Sequence, residues 1–180
     1  MNNKEIINIT TPVEKKTLEK LRAGDIVNLS GEVLVFRDQV HRILCEMINK
    51  GEELPFEIKD KALYYCGPTP GKDGMTAGSA GPTTSGRMDK FTEPLLKSGL
   101  AMTIGKGDRS PEITELMKKY GSVYMLACGG AGAYIGRRVK SVSVIGFKEL
   151  GPEAARIFVF DNLPLVVGID THGEEIFKRT

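Results

Sequence analysis

The apolar residues Val40, Ile43, Leu44, Met47 and Ile48 recur three or four positions apart, which puts them on one side of a helix closed by Gly51. Upstream, Thr11, Pro12 and Glu14 form a helix-start pattern with the hydroxyl as cap and proline in the first turn, and Val13, Leu18 and Leu21 supply an apolar side ending at Gly24. Between these helices, 26–29 and 32–36 read as two strands meeting at a Ser30-Gly31 turn. Ala62 to Cys66 reads as a short buried strand. Downstream, 100–104 and 123–127 are strands flanking a helix that opens at Pro111 and stops before Gly121. Further strands are expected at 142–145, 155–160 and 165–169, with turns at Asp161-Asn162 and Thr171-His172-Gly173. The sum is an α/β domain with a mixed sheet and flanking helices.

The pattern breaks down between Cys66 and Asp89, where CGPTPGKDGMTAGSAGPTTSGRMD holds six glycines and three prolines and almost no bulky apolar residue. A loop this long without a core of its own is uncommon in a compact domain and points to function. It runs into a helix carrying Phe91, Leu95 and Leu96, capped by Thr84 or Ser85 and stopped by Gly99. Gly71, Gly74 and Gly78 read as conformational, and Lys72, Asp73 and Ser79 as residues that line a pocket.

Composition changes this picture mainly by exclusion. A chain of 180 residues, 41% hydrophobic and 27% charged, suits one soluble domain spanning 1–180. The 25 basic and 23 acidic side chains are interspersed, so no basic tract exists to follow a nucleic-acid backbone. The first ten residues lack the plan of a signal peptide and no apolar run is long enough for a membrane span, so the expected location is cytoplasmic. Cys45, Cys66 and Cys128 do not have metal-ligand spacing, and core packing is the expected role of Cys45 and Cys128.

Two glycine-rich stretches fail as nucleotide motifs. GPTPGK, from Gly67, lacks the four-residue gap of a phosphate loop, and Gly136 comes one residue late for a dinucleotide turn, so a close turn or subunit contact is expected there. His41 lies beside an apolar stripe and reads as a helix-surface or core histidine, not a base. What remains is a set of cations and hydroxyls at element ends, Arg37, Thr83, Thr84, Arg87, Lys106 and Arg109. Guanidinium groups match carboxylates bidentately, so arginines in such places suit a dicarboxylate.

CGPTPGKDGMTAGSAGPTTSGRMDKFTEPLL, together with LSGEVLVFRDQVHRIL, GKGDRS and VYMLACGGAGAYI, resembles the C-terminal region of class I fumarate hydratase and the tartrate dehydratase beta subunit. The likeness runs from about Pro12 to Asp170. It implies a swivelling β/β/α domain that works with an alpha subunit, whose cysteines hold a four-iron, four-sulfur cluster that this chain does not ligate. It further implies that Arg37 and Arg87 clamp substrate carboxylate, that the Thr83 hydroxyl transfers the proton, and that Lys106 lies beside it.

The reaction so implied is reversible hydration of fumarate to S-malate, with L(+)-tartrate dehydration to oxaloacetate as the alternative. A non-catalytic binding module of the same fold is the reading from another class. A partner-dependent chain is also expected to expose an interface patch and to self-associate through it, giving a homodimer.

Overall fold

The computed structural model describes residues 5–71 and 74–177. In chain order the elements are β1 (Ile7–Thr10), α1 (Lys15–Leu18), β2 (Ile26–Val35), α2 (Asp38–Lys50), β3 (Ala62–Tyr64), a 3-10 turn (Ser85–Met88), α3 (Asp89–Lys97), β4 (Met102–Gly105), α4 (Pro111–Tyr120), β5 (Val123–Leu126), α5 (Gly132–Gly136), β6 (Val139–Gly146), a second 3-10 segment (Lys148–Glu153) and β7 (Ala155–Ile169). Strands β1 to β5 run parallel in that order, while β7 pairs antiparallel with both β5 and β2 and carries β6 beside its first half. Because β7 joins the two ends of β2-β3-β4-β5, the sheet closes on itself.

Alternation along the short parallel strands sorts their side chains into two cores. Tyr64, Met102, Ile104 and Met125 face Val33 and Phe158 in a core between the β layers. Leu63, Tyr65 and Tyr124 point the other way and meet Leu44, Leu95 and Met117 of α2, α3 and α4. This is the β/β/α layering expected. Strands buried on both faces need nearly continuous apolar sequence, as β3 to β5 have. Each fully buried large side chain contributes roughly 1.5–3 kcal/mol of transfer free energy.

The helices at Asp38 and Pro111 end on left-handed Gly51 and Gly121 as their sequences indicate. Three expectations are corrected. Thr11 caps no helix: its amide and hydroxyl both donate to the Ser30 carbonyl, extending the β1–β2 ladder, and the one-turn α1 starts after Glu14. Neither Thr84 nor Ser85 caps the helix at Phe91 through its side chain. The turns at Ser30-Gly31 and Asp161-Asn162 are no hairpins. They face each other within two continuous strands, since Leu29 pairs with Leu163 and Gly31 with Phe160, leaving Ser30 opposite Asp161 and Asn162. That is a β-bulge, held by the Asn162 amide donating to Ser30 Oγ at 3.0 Å, with Gly31 at φ +100° and Asn162 at φ +55°. A bulge uses the residues of a turn, which is why the sequence pattern cannot separate them.

Candidate active site

The C-terminal ends of the parallel strands are where α/β sheets place their ligand sites, and four segments of interest leave β2, β3, β4 and β5 there. Arg37 follows β2, Cys66-Gly67 follows β3, Lys106 follows β4, and Cys128-Gly129 follows β5. The long loop then returns to this edge. Cys66 forms a bridge with Pro82, the Thr83 amide donates to the Tyr65 carbonyl at 2.7 Å, and Thr84 bridges to Lys106. The Lys106 amide in turn donates to the Thr83 carbonyl at 3.2 Å, and the Ser85 amide to the Lys106 carbonyl at 2.9 Å. Thr83 and Lys106 are thus stitched together by backbone, although their sequence positions are far apart.

The loop is ordered by its own hydrogen bonds. Thr69 and Ser79 pair through backbone, and Thr69 Oγ1 accepts from the Ser79 amide at 2.7 Å. The buried Tyr64 hydroxyl donates to the Ala80 carbonyl at 2.6 Å, tying the loop to the β3 strand. Its outer side seats on α5, where a Cβ on Gly136 would fall 1.8 Å from the Gly78 carbonyl oxygen. Gly132 and Gly136 of the GGAGAYIG stretch therefore serve a close approach of the loop, in line with the close turn expected. Ser79 is exposed, its hydroxyl next to Gly132. Lys72 and Asp73 lie outside the described residues.

Electrostatics divides the cations into two kinds. Arg37 Nε lies 2.9 Å from Glu153 Oε1, in an ion contact whose N–H is not aimed at the oxygen, and its guanidinium packs over Gly67, where a Cβ would come within 3.0 Å. Arg87 is more than half exposed and donates through Nη2 to Asp38 Oδ1 at 2.8 Å. Each arginine keeps guanidinium nitrogens beyond these contacts. Lys106 is half-buried, its stem lies over Gly129, and neither its ammonium nor the Thr83 hydroxyl has a side-chain hydrogen bond or ion pair among the described residues.

Arg109 belongs to the second kind. Its side chain is wholly buried, bonded through Nε to Asp89 and through Nη2 to Thr92 Oγ1 at 2.7 Å, with the rings of Tyr65 and Tyr124 5.6 and 5.0 Å from the guanidinium carbon. Burial opposes the charge, yet the Tyr65 phenol and Asp89 carboxylate outweigh it and hold the Arg109 pKa above its ordinary value. This arginine ties the α3 start to the turn before α4 and is no ligand for a substrate. The structure thus pairs Thr83 and Lys106 through backbone, sets Arg37 and Arg87 at the α2 start, and removes Arg109 from the set. Glu153, the carboxylate that holds Arg37, carries no spacing signal that would have singled it out.

His41 is fully buried among Phe36, Tyr65 and Phe91, with Nδ1 2.9 Å from the Arg37 carbonyl, and burial lowers its pKa to about 4. It is a core histidine. Cys45 and Cys66 are buried, and burial pushes their thiols up to about 11 and about 12. Cys128 is exposed, against the expectation of core packing, because β5 ends at Leu126 and the chain leaves the sheet there. The three cysteines lie on separate elements, and among the described residues no group of His, Cys, Asp or Glu is arranged to hold a metal ion. They do not fit an iron–sulfur cluster.

The profile of the family described as Fumarase C-terminus matches residues 1–180. The chain belongs to that family. It is 38% identical over 171 residues to the putative L(+)-tartrate dehydratase subunit beta of Methanocaldococcus jannaschii, a match covering 92% of this chain and 88% of that protein. It is 34% identical over 179 residues to fumarate hydratase 2 of Leishmania major, covering 97% of this chain but 31% of that protein. Against the aerobic class I fumarate hydratase of Escherichia coli the identity is 36% over 155 residues, 85% of this chain and 28% of that protein. The chain therefore spans about a third of the length of the fumarate hydratases it matches.

Proposed function

We propose that this chain is the beta subunit, one domain long, of a two-chain hydro-lyase that interconverts fumarate and S-malate. The observation that carries the reading is the backbone pairing of Thr83 with Lys106 at the C-terminal strand edge, where neither the hydroxyl nor the ammonium has a side-chain partner among the described residues. Family membership and relatives named as subunits support it.

On this reading Arg37 and Arg87 hold the two carboxylates by paired charge-assisted hydrogen bonds, which also stabilise the charge that builds up as a carbon next to a carboxylate loses its proton. Thr83 takes that proton. A threonine hydroxyl is too weak a base alone at neutral pH, and the Lys106 ammonium beside it favours the alkoxide. The four-iron, four-sulfur cluster expected of such an enzyme belongs to the partner alpha subunit, since the cysteines of this chain do not fit it. A cytoplasmic location and self-association of this chain as a homodimer complete the reading; no described helix is long and apolar enough to cross a membrane.

Anaerobic hydration of fumarate, followed as S-malate, by this chain alone and with the cluster-bearing partner tests it. Activity only in the mixture is the expected outcome, and inactivity of a mixture whose cluster is intact overturns it. L(+)-tartrate dehydration is the second reading. It is favoured by the 88% coverage of a tartrate dehydratase subunit, against 31% of a fumarate hydratase. Formation of oxaloacetate from L(+)-tartrate, with none of S-malate from fumarate, decides for it.

A further inference from the structure

We propose that the Tyr124 hydroxyl is a positioning group for the Thr83–Lys106 pair, setting the turn on which the ammonium is presented; this rests on the reading that the pair handles the proton. Tyr124 sits mid-strand in β5, is 1% exposed, and by position reads as an ordinary core aromatic. Its hydroxyl instead reaches two segments, Gly107 O on the turn after β4 at 2.7 Å and Ser85 Oγ at the end of the long loop at 2.9 Å.

A phenol carries one proton and a carbonyl can only accept, so Tyr124 donates to Gly107 and the Ser85 hydroxyl donates to the phenol oxygen. Lys106 lies between these two anchors. Its carbonyl accepts from the Ser85 amide on one side, and the carbonyl of the next residue is held by the phenol on the other. The same Ser85 begins the 3-10 turn that carries Arg87.

The geometry leaves little slack. Gly105 lacks the Cβ that would lie 2.0 Å from Ser85 Oγ and 2.9 Å from the Tyr65 ring, so the loop can press against the β4 end. Behind Tyr124, the Arg109 guanidinium lies 5.0 Å from its ring and is itself fixed by Asp89 and Thr92. A buried, fully bonded strut of this kind positions the groups in front of it without touching the ligand.

The test uses the enzyme assembled with its cluster-bearing partner, at matched cluster content and below the melting transition of each variant. Tyr124→Phe removes one oxygen and keeps the ring. Its kcat is expected to fall about 10- to 100-fold, the cost of a small misplacement of a reacting group, while KM stays within about threefold because Arg37 lies off this turn and Arg87 keeps its own anchor on Asp38 at 2.8 Å. Ser85→Ala cuts only the loop-side bond and is expected to show the same split to a smaller extent. Tyr120→Phe, a surface phenol on Glu93, serves as the unaffected control. Normal kcat in both Tyr124→Phe and Ser85→Ala overturns the proposal, as does a loss carried equally by KM.

Hydrogen exchange at the Ser85 and Lys106 amides of the isolated chain provides a readout free of activity. Tyr124→Phe is expected to speed exchange at both, and unchanged exchange overturns the proposal. If the unmodified assembly turns over neither fumarate nor L(+)-tartrate, the functional reading fails instead, and exchange alone decides whether Tyr124 sets this turn.

Discussion

Arg109 and Lys106 stand three residues apart on one turn, and the fold sends them into opposite environments. Arg109 turns inward beneath α3 and α4, loses all contact with water, and finds a carboxylate, a hydroxyl and two aromatic faces. Lys106 stays at the strand edge, its stem over Gly129, with no side-chain partner among the described residues. A charge buried and paired by its own protein is architecture, whereas one left unpaired at the C-terminal end of a strand is available to a ligand. Arg37 and Arg87 lie between these extremes, each steadied by one carboxylate and still partly exposed.

The sharpest way to break this comparison is to remove the available groups. Thr83→Ala and Lys106→Met, in the assembled enzyme at matched cluster content, are expected to lower kcat by about 10²–10⁴, the range of a lost proton-transfer group. Neither should shift the melting temperature of the isolated chain appreciably, because their side chains are bonded to nothing described. A near-normal rate in Thr83→Ala would remove it from the proton-transfer role and send the search to the partner chain.

Arg109→Ala tests the other side. Breaking this pair leaves the largely buried Asp89 without its counter-charge, holding only the Ser110 amide at 2.8 Å, which costs about 3–5 kcal/mol. Arg87→Ala removes an exposed pair worth about 0–1 kcal/mol in stability, and on the functional reading raises KM strongly. Chemical denaturation of both variants gives the contrast directly, and equal losses would abolish the distinction between the two kinds of cation.

Burial of His41 adds a pH signature to the helix-covered side. Its folded-state pKa is about 4, below the ordinary value near 6.5, so the unfolded chain binds the proton more readily. Stability is therefore unaffected above about pH 6.5 and falls as pH drops from there towards 4, by roughly 3 kcal/mol in all. Denaturant midpoints of the wild-type chain and His41→Gln across that window check it. The substitution should flatten the slope, and an unchanged slope would assign the acid sensitivity to other groups.

Much of the framework was legible because it rests on local rules. The stripe from Val40 to Ile48 and the proline and glycine around α4 act within one element, and the structure agrees with them. The edge residues Arg37, Thr83, Arg87 and Lys106 were legible as candidates because each lies on a loop or helix start and stands in a segment that carries the family resemblance. Their environments were not. Whether an arginine at such a turn faces Asp89 or solvent depends on how α3 packs on α4, which no spacing in the chain encodes. The bulge joining Ser30 to Asn162 escaped for the same reason, since its local residues are those of a turn and only the partner strand shows otherwise.

The smallest effect concerns the seat of the loop on α5. In a helix, alanine is favoured over glycine by about 1 kcal/mol, so propensity alone makes Gly136→Ala stabilising. The new Cβ, however, would fall 1.8 Å from the Gly78 carbonyl oxygen, and that neighbour is backbone that cannot rotate aside. Overpacking of this sort costs about 1–3 kcal/mol, so a modest net loss of stability is expected. Because the displaced segment leads to Thr83, exchange at the Ala80 amide, which donates to the Gly132 carbonyl, should quicken in the variant. A rise in melting temperature with unchanged exchange would mean that the loop is not seated on α5. The edge site would then owe its geometry to the Cys66–Pro82 bridge and the Tyr124 strut instead.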